Sequence, residues 1–390
     1  MRRTWLTGEA YVTAAKAGPL SGLQVVEMAG LGPAPMAGQL LADLGADVIV
    51  VDRRTGERID KDVNRRGKKS IALNMKSEEA VKVFFSLVEK ADILIEGFRP
   101  GVMERLGLGP DECLAKNPGL IYGRMTGWGQ DGPLAHAAGH DLNYLAMTGM
   151  LHAIGEEGRP PVPPLNMAAD YGGGSMFLLL GVLSALFERT RSGKGQVIDA
   201  AMVDGVPAMV GLIYSLLGRG LWQDKRQTNL LDGGAPFYQC YETSDGRYLS
   251  VGSLEPQFFA LLLKGLDLPQ ELSKIQMNMK EWPQLEEQIG TAIKANTLDH
   301  WTGVFAGTDA CVAPVLSIEE ANAASLNTER GNRIRLNGVT QAAPAPRFSR
   351  TVPQTPEPAG RTGDDTAQVL QQLGFSEADI VDMQKSKTLA

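Results

Sequence analysis

Asp170 stands directly ahead of Tyr171, three glycines and Ser175, and an apolar helix follows. A carboxyl group at a helix start lies beside N–H groups that have no intrahelical partner and at the positive end of the helix dipole. Glycines there let a ligand approach the backbone, so Asp170, Tyr171 and Gly172 form a place that could hold a developing oxyanion. The same residues also read as an ordinary N-cap with close packing. The dipole favours a charged Asp170 while an acid catalyst needs a proton, and burial under a ligand works against the dipole. His136 and His140 are four apart, as in a helical metal pair. No Glu follows His136, Gly139 intervenes and no Cys is close, so no metal site is expected. The chain has no GxSxG. Gly30 to Pro35 follows a strand pattern, with Asp52 beyond it, but Pro35 replaces the third glycine of a dinucleotide fingerprint, so a tight strand-to-helix turn is the better reading.

The stretch from Asp52 to Lys69 holds Arg53, Arg54, Arg58, Lys61, Arg65, Arg66, Lys68 and Lys69 against four acids. Charge runs of this kind are usually solvated loops. This one lies just past a strand end of an α/β sheet, where a phosphorylated ligand would sit. Arg99 in Gly97-Phe98-Arg99-Pro100 and Arg105 add further fixed charge for phosphate groups.

Short Val- and Ile-rich runs at 23–28, 47–51, 70–73, 93–95 and 120–122 alternate with helical patterns, among them a helix capped by Ser77 that runs to about Lys90. This alternation predicts βαβ units and a mainly parallel sheet. From Asp170 to Leu217 the pattern is helical, with a strand-like break at 196–198. Met176 to Phe187, the most apolar run, is too short to span a bilayer and reads as a buried helix. Alternation from Phe237 to Val251 around Ser244-Asp245-Gly246 predicts a hairpin in a second, antiparallel module. Helical patterns follow to about Ser325. Residues 342–360 read as a linker or extended arm, and 366–373 and 376–384 as short helices.

With 390 residues the chain has room for two or three domains. A net charge of −7 argues against a general binder of nucleic acid or anionic membranes. Three scattered cysteines without a CxxC pair fit a reduced, cytosolic setting. Residues 1–16 carry Arg2, Arg3 and Lys16 against Glu9 and have no apolar core, so a poorly ordered tail is expected there, with organelle targeting as a second reading.

Several longer motifs are more specific. They are Pro19 to Leu23, Ala42 to Val48, Glu96-Gly-Phe-Arg-Pro-Gly101, Glu104 to Gly109, Arg124 to Pro133, Gly139-His-Asp-Leu-Asn-Tyr144, Asp170 to Ser175, Gly193 to Asp199 and Glu255-Pro-Gln-Phe258. In these the chain resembles the α-methylacyl-CoA racemases of the class III CoA-transferase (CaiB/BaiF-type) superfamily, from about Ala17 to Gly374. The resemblance implies an α/β fold with a Rossmann-like large domain, a smaller α/β domain and an interlocked homodimer. It places an N-terminal extension at 1–18, the large CoA-binding domain at 19–225 and 330–390, and the small domain at 226–329.

By the same resemblance His140 and Asp170 are the catalytic pair, Glu255 orients the imidazole, and Arg53, Lys76, Arg99 and Arg105 bind the phosphates of CoA. Inversion α to a thioester needs a base on one face and an acid on the other, and an imidazole and a carboxyl group can exchange these roles. No metal or organic cofactor is implied, since CoA arrives with the acyl-CoA substrate. The transferases of the superfamily use an Asp at the position of Asp170 as nucleophile and generally lack the histidine, so a transferase is the alternative. Met147, Met150 and Leu151 suggest either an adaptable acyl surface or plain core. The acyl chain stays open between branched fatty acyl, sterol side chain and aryl-propionyl.

Overall fold

In the computed structural model, which describes residues 17–389, the apolar runs become one six-stranded sheet. Its strands are β1 (Gln24–Met28), β2 (Asp47–Asp52), β3 (Lys68–Ala72), β4 (Ile93–Glu96), β5 (Ile121–Thr126) and β6 (Gln196–Ala201). All pairings are parallel, and the order is β3-β2-β1-β4-β5-β6. The direction of winding reverses between β1 and β4, and ligands of such sheets bind outside the strand ends at that point. Val48, Val50, Ile93, Leu94 and Ile95 are fully buried, as expected of strands covered on both faces.

Helices α1 (Pro33–Asp43), α2 (Glu78–Val88), α3 (Val102–Arg105) and α4 (Pro110–Lys116) make the crossovers. Ser77 accepts the Ala80 N–H and caps α2, which buries Ala80, Val83, Phe84 and Leu87 at helical spacing. After α5 (Asp141–Met147), a π-helical run over Met167–Ser175 leads without a break into α6 (Met176–Ser192), and α7 (Met202–Met209) and α8 (Gly211–Gly218) follow β6. The continuous run from Met167 to Ser192 has 26 residues, long and apolar enough to cross a bilayer by length and composition, where the sequence suggested a shorter, buried helix. Leu178 and Val182 are buried against Gly123 of β5 and Gly181 lies on Ile198 of β6, so one side of α6 covers the sheet. Its other side leaves Leu180, Leu183 and Phe187 exposed.

The described chain divides into two compact units. One comprises the described residues up to 144, 166–209 and 326–389, and the other 145–165 and 210–325. The stretches 145–165 and 210–225, placed with the large domain on sequence, cluster with the second unit. The extension expected at 1–18 lies outside the described residues except for Ala17 and Gly18.

The second unit carries β7 (Tyr238–Glu242), β8 (Tyr248–Gly252) and β9 (Val312–Pro314) as an antiparallel sheet. The predicted turn at Ser244-Asp245-Gly246 joins the first two strands, and β9 was not anticipated. Helices α9 (Pro256–Gly265), α10 (Trp282–Lys294) and α11 (Leu298–Phe305) pack Phe259, Leu262, Leu285, Ile289, Trp301 and Phe305 against the sheet. Short helices α12 (Ile318–Ala323) and α13 (Ser325–Arg330) precede a hairpin, β10 (Arg333–Leu336) and β11 (Val339–Ala342), turned at Asn337-Gly338.

In the first unit the chain then runs irregularly to α14 (Thr366–Gln372) and α15 (Glu377–Lys385). This C-terminal part ties down two loops at the sheet edge. Thr362 accepts from the N–H of Gly56, and Thr388 from the N–H of Asn74, through their carbonyl oxygens.

Candidate active site

The strand ends around the reversal point carry two cavities. The larger, about 680 Å³, is lined by residues after β1, β2, β3 and β4, including Arg53, Arg54, Asn74, Lys76, Phe98 and Arg105. The smaller, about 470 Å³, lies between Leu31 to Ala34 after β1, Gly97 to Pro100 after β4, the turn after β5, His140 and Asp170. Phe98 lines both cavities.

Glu96 fixes the loop between them. It ends β4 fully buried, accepts the Phe98 N–H at 2.7 Å and takes Arg124 Nε at 3.0 Å. Arg124 also reaches Glu104 at 2.8 Å. Burial pushes the Glu96 carboxyl above the usual range, while the Phe98 N–H and Arg124 oppose that rise. The motif Glu96-Gly-Phe-Arg-Pro is therefore a carboxylate anchor followed by the loop it holds.

His140 is the N-cap of α5. Its own N–H donates to Asn143 Oδ1 at 3.1 Å, and its carbonyl accepts from the Asn143 N–H at 2.8 Å, a reciprocal closure of the helix start. Tyr144 stacks edge-on with Trp128, ring centroids 4.8 Å apart, and its hydroxyl donates to the Gly139 carbonyl. A side chain at Gly127 would fall 2.0 Å from the Tyr144 ring, so only glycine fits there. Asn143, Tyr144 and Trp128 were not singled out on sequence. Asn143, third after His140, is where a capping acceptor is expected.

Asp170 is placed differently from the sequence reading. Its helical run begins at Met167 after Asn166, so Asp170 lies inside the first π turn and is not the cap. Its N–H donates to Asp141 Oδ2 at 2.7 Å and is not free to bind an oxyanion. The side chain borders the cavity near Gly32, with the Asn166 amide donating to it at 3.5 Å. Burial first, and then the charge of Asp141, pushes the Asp170 carboxyl above the usual carboxylate range, and the Asn166 amide and His140 oppose this. Tyr171 and Gly172, expected beside it as enolate donors, follow within the π run.

Half of the basic stretch proves to be structural. Lys68 pairs with buried Glu27 at 2.6 Å, Arg66 with Asp43 at 2.6 Å, Lys69 with Asp47 at 3.1 Å, and Arg65 with Asp52. Arg58 pairs with Asp60. Arg53 and Arg54 remain at the larger cavity, the first with its guanidinium 5.4 Å from the Phe98 ring centre. Of the four residues expected to bind CoA phosphates, Arg53, Lys76 and Arg105 line this cavity, and Arg99 lines the smaller one with His140 and Asp170. Glu255 belongs to the second unit, where it is the N-cap of α9.

Comparison with known proteins matches residues 20–366 to CoA-transferase family III. The chain belongs to that family. Within it, the mouse protein named alpha-methylacyl-CoA racemase is 45% identical over 373 residues, covering 94% of this chain and 97% of the mouse protein. The human protein of the same name is 42% identical, covering 95% of this chain and 97% of its own. The crystal structure of a CaiB/BaiF family protein from Brucella suis superposes with a TM-score of 0.78 at 27% identity, over 92% of this chain and all of that one. The α/β architecture expected from the motifs is thus that of the family, and the match spans both compact units.

Proposed function

We propose that this family III protein is a 2-methylacyl-CoA racemase, an isomerase that inverts the α-carbon of acyl-CoA thioesters. Identity of 45% and 42% to proteins named alpha-methylacyl-CoA racemase, over nearly the whole of each chain, supports the activity. The observation that carries the mechanism is that an imidazole and a half-buried carboxyl group line one small cavity, next to a larger one rich in arginine and lysine.

In one direction His140 takes the α-proton, the C–H electron pair moves into an enolate, and Asp170 delivers its proton to the other face of the same carbon. In the reverse direction the carboxylate is the base and the imidazolium is the acid. The enolate oxygen needs N–H donors. The first turn of α5 offers the N–H groups of Asp141 and Leu142, since N–H groups there have no intrahelical partner. Arg53, Lys76 and Arg105 hold the phosphates of CoA, and Phe98 lies where the two cavities meet. The resemblance assigns to Glu255 the role of orienting the imidazole. The reaction needs no resident metal or organic cofactor.

We infer further that two copies interlock, which is supported by the exposed Leu180, Leu183 and Phe187 along α6, and that the enzyme works in the cytosol. The test is proton NMR of one enantiomer of a 2-methylacyl-CoA with the protein in D₂O. Deuterium enters at the α-carbon and the second enantiomer appears, without any acid acceptor. Strict need for a carboxylate acceptor, with no α-exchange, would instead make the protein a transferase with Asp170 as nucleophile.

A further inference from the structure

Asp141 follows His140 directly, yet the residue is only 5% exposed and its carboxyl group is turned into the protein. A single oxygen, Oδ2, accepts two consecutive N–H groups of the π-helical run, Ala169 at 2.8 Å and Asp170 at 2.7 Å. Among the described residues the second oxygen, Oδ1, is buried without a hydrogen-bond partner. Bracing alone needs one acceptor oxygen, which an amide would supply as well. A buried carboxylate with an unpaired oxygen costs stability that the brace does not explain.

We propose that Asp141 is a positioning residue for proton transfer: it holds the backbone of Asp170 in fixed register with His140 and supplies the negative charge that Asp170 faces. This role rests on the racemase reading above. The brace acts through one peptide bond on His140 and directly on the N–H of Asp170, so it fixes both members of the pair. The charge favours the protonated carboxyl, the form needed whenever His140 is the base, and it adds to what burial does.

The other groups around Asp170 do not duplicate that charge. His140 and the Asn166 amide favour the ionised form. Arg99 lines the cavity, and burial first, then the charge of Asp170, pushes the Tyr144 hydroxyl above the usual range while Arg99 opposes this. Among the packed elements, α1 and α7 bring Gly32, Pro33, Ala34 and Met202 to the cavity, none charged. On α7 Asp204 is exposed, on β5 Arg124 is held by Glu96 and Glu104, and on β6 Asp199 accepts the Gln130 N–H.

The test compares Asp141→Asn with Asp141→Ala in racemisation of a 2-methylacyl-CoA across pH. The asparagine keeps an oxygen for both N–H groups and removes the charge. Its acid limb in kcat/KM moves to lower pH by about 1, the size of one neighbouring charge, because Asp170 then ionises more easily. The alanine loses the brace as well, and its kcat falls about 10²-fold below that of the asparagine variant, as expected for a small misplacement of reacting groups. Its KM stays near native, since the larger cavity is untouched. An unmoved acid limb in Asp141→Asn overturns the charge role even if Asp141→Ala fails to fold. Equal kcat in the two variants overturns the brace. Absence of racemisation in the native protein, read before any variant, overturns the racemase reading and this role with it.

Discussion

Lys68→Met should unfold the protein's sheet edge more readily, and the size of the effect follows from what surrounds the lysine. Its Nζ lies 2.6 Å from Glu27 Oε2 and 2.8 Å from the Pro35 carbonyl, tying β1, β3 and the first turn of α1 together. Both side chains are buried, 1% and 0% exposed, and Glu27 Oε1 has no hydrogen-bond partner among the described residues. A Cβ at Gly38 would come within 1.8 Å of Glu27 Oε2, so the carboxylate sits against bare backbone with no room to turn away. Removing the lysine leaves that carboxylate unpaired, which typically costs about 3–5 kcal/mol. For a domain of this size that lowers Tm by about 6–20 °C.

The loss has a pH signature. Burial already pushes Glu27 above the usual carboxylate range and Lys68 opposes it, so the variant's Glu27 rises further. The folded variant then holds a proton that the unfolded chain has released. Its stability relative to native is best below the ordinary carboxylate pKa and is lost as pH rises through the raised value. Calorimetric or circular-dichroism melts of native, Lys68→Met and Glu27→Gln/Lys68→Met at pH 5 and pH 8 check this. The double variant should recover most of the loss, because replacing both ions is far milder than stranding one. A Lys68→Met protein within 1 °C of native at pH 8, or equally destabilised at both pH values, would refute the reasoning.

His140→Ala and Asp170→Ala should each abolish racemisation in a chiral acyl-CoA assay, while slow α-proton exchange survives from opposite enantiomers, because exchange needs one base and inversion needs two groups. The residual rates should lie about 10²–10⁴-fold below native. Arg105→Ala should weaken binding of CoA and acyl-CoA alike in titration calorimetry, with the loss shrinking as salt rises. Gly127→Ala should displace the Tyr144 ring, which lies 2.0 Å from the new Cβ, and loosen Gly139 and His140. Its kcat should drop while CoA binding, measured separately, stays near native.

The parallel sheet was legible because Val- and Ile-rich runs such as Asp47–Asp52 have only one comfortable state, buried on both faces. His140 and Asp170, named from motifs, line one cavity. The basic stretch shows where sequence stops: Arg53 and Lys68 look alike in composition, and only the fold decides that one faces a cavity while Glu27 claims the other. The start of the helix at Met167 was hidden because a π-helical run has no sequence period of its own, so Asp170 looked like a cap. The brace by Asp141 spans 28 and 29 residues in sequence and no local pattern foretells it. The β10–β11 hairpin did carry its signal, Asn337-Gly338, which is among the strongest for a tight turn.

The ties from Thr362 and Thr388 to the loops at Gly56 and Asn74 bear on how the protein comes to be active. Thr362 Oγ1 also accepts the Glu57 N–H and the Thr388 hydroxyl meets that of Ser77, joining residues 305 and 311 positions apart, with the whole second unit lying between them in sequence. A growing chain can form β1 to β5 long before it holds the segment that fastens the edges of the larger cavity. Closing such a loop is entropically slow and rewards the chain only at its end. The larger cavity is therefore among the last features to mature, and a CoA thioester held there as proposed above should act as a late fastening that draws nearly complete molecules into the native state.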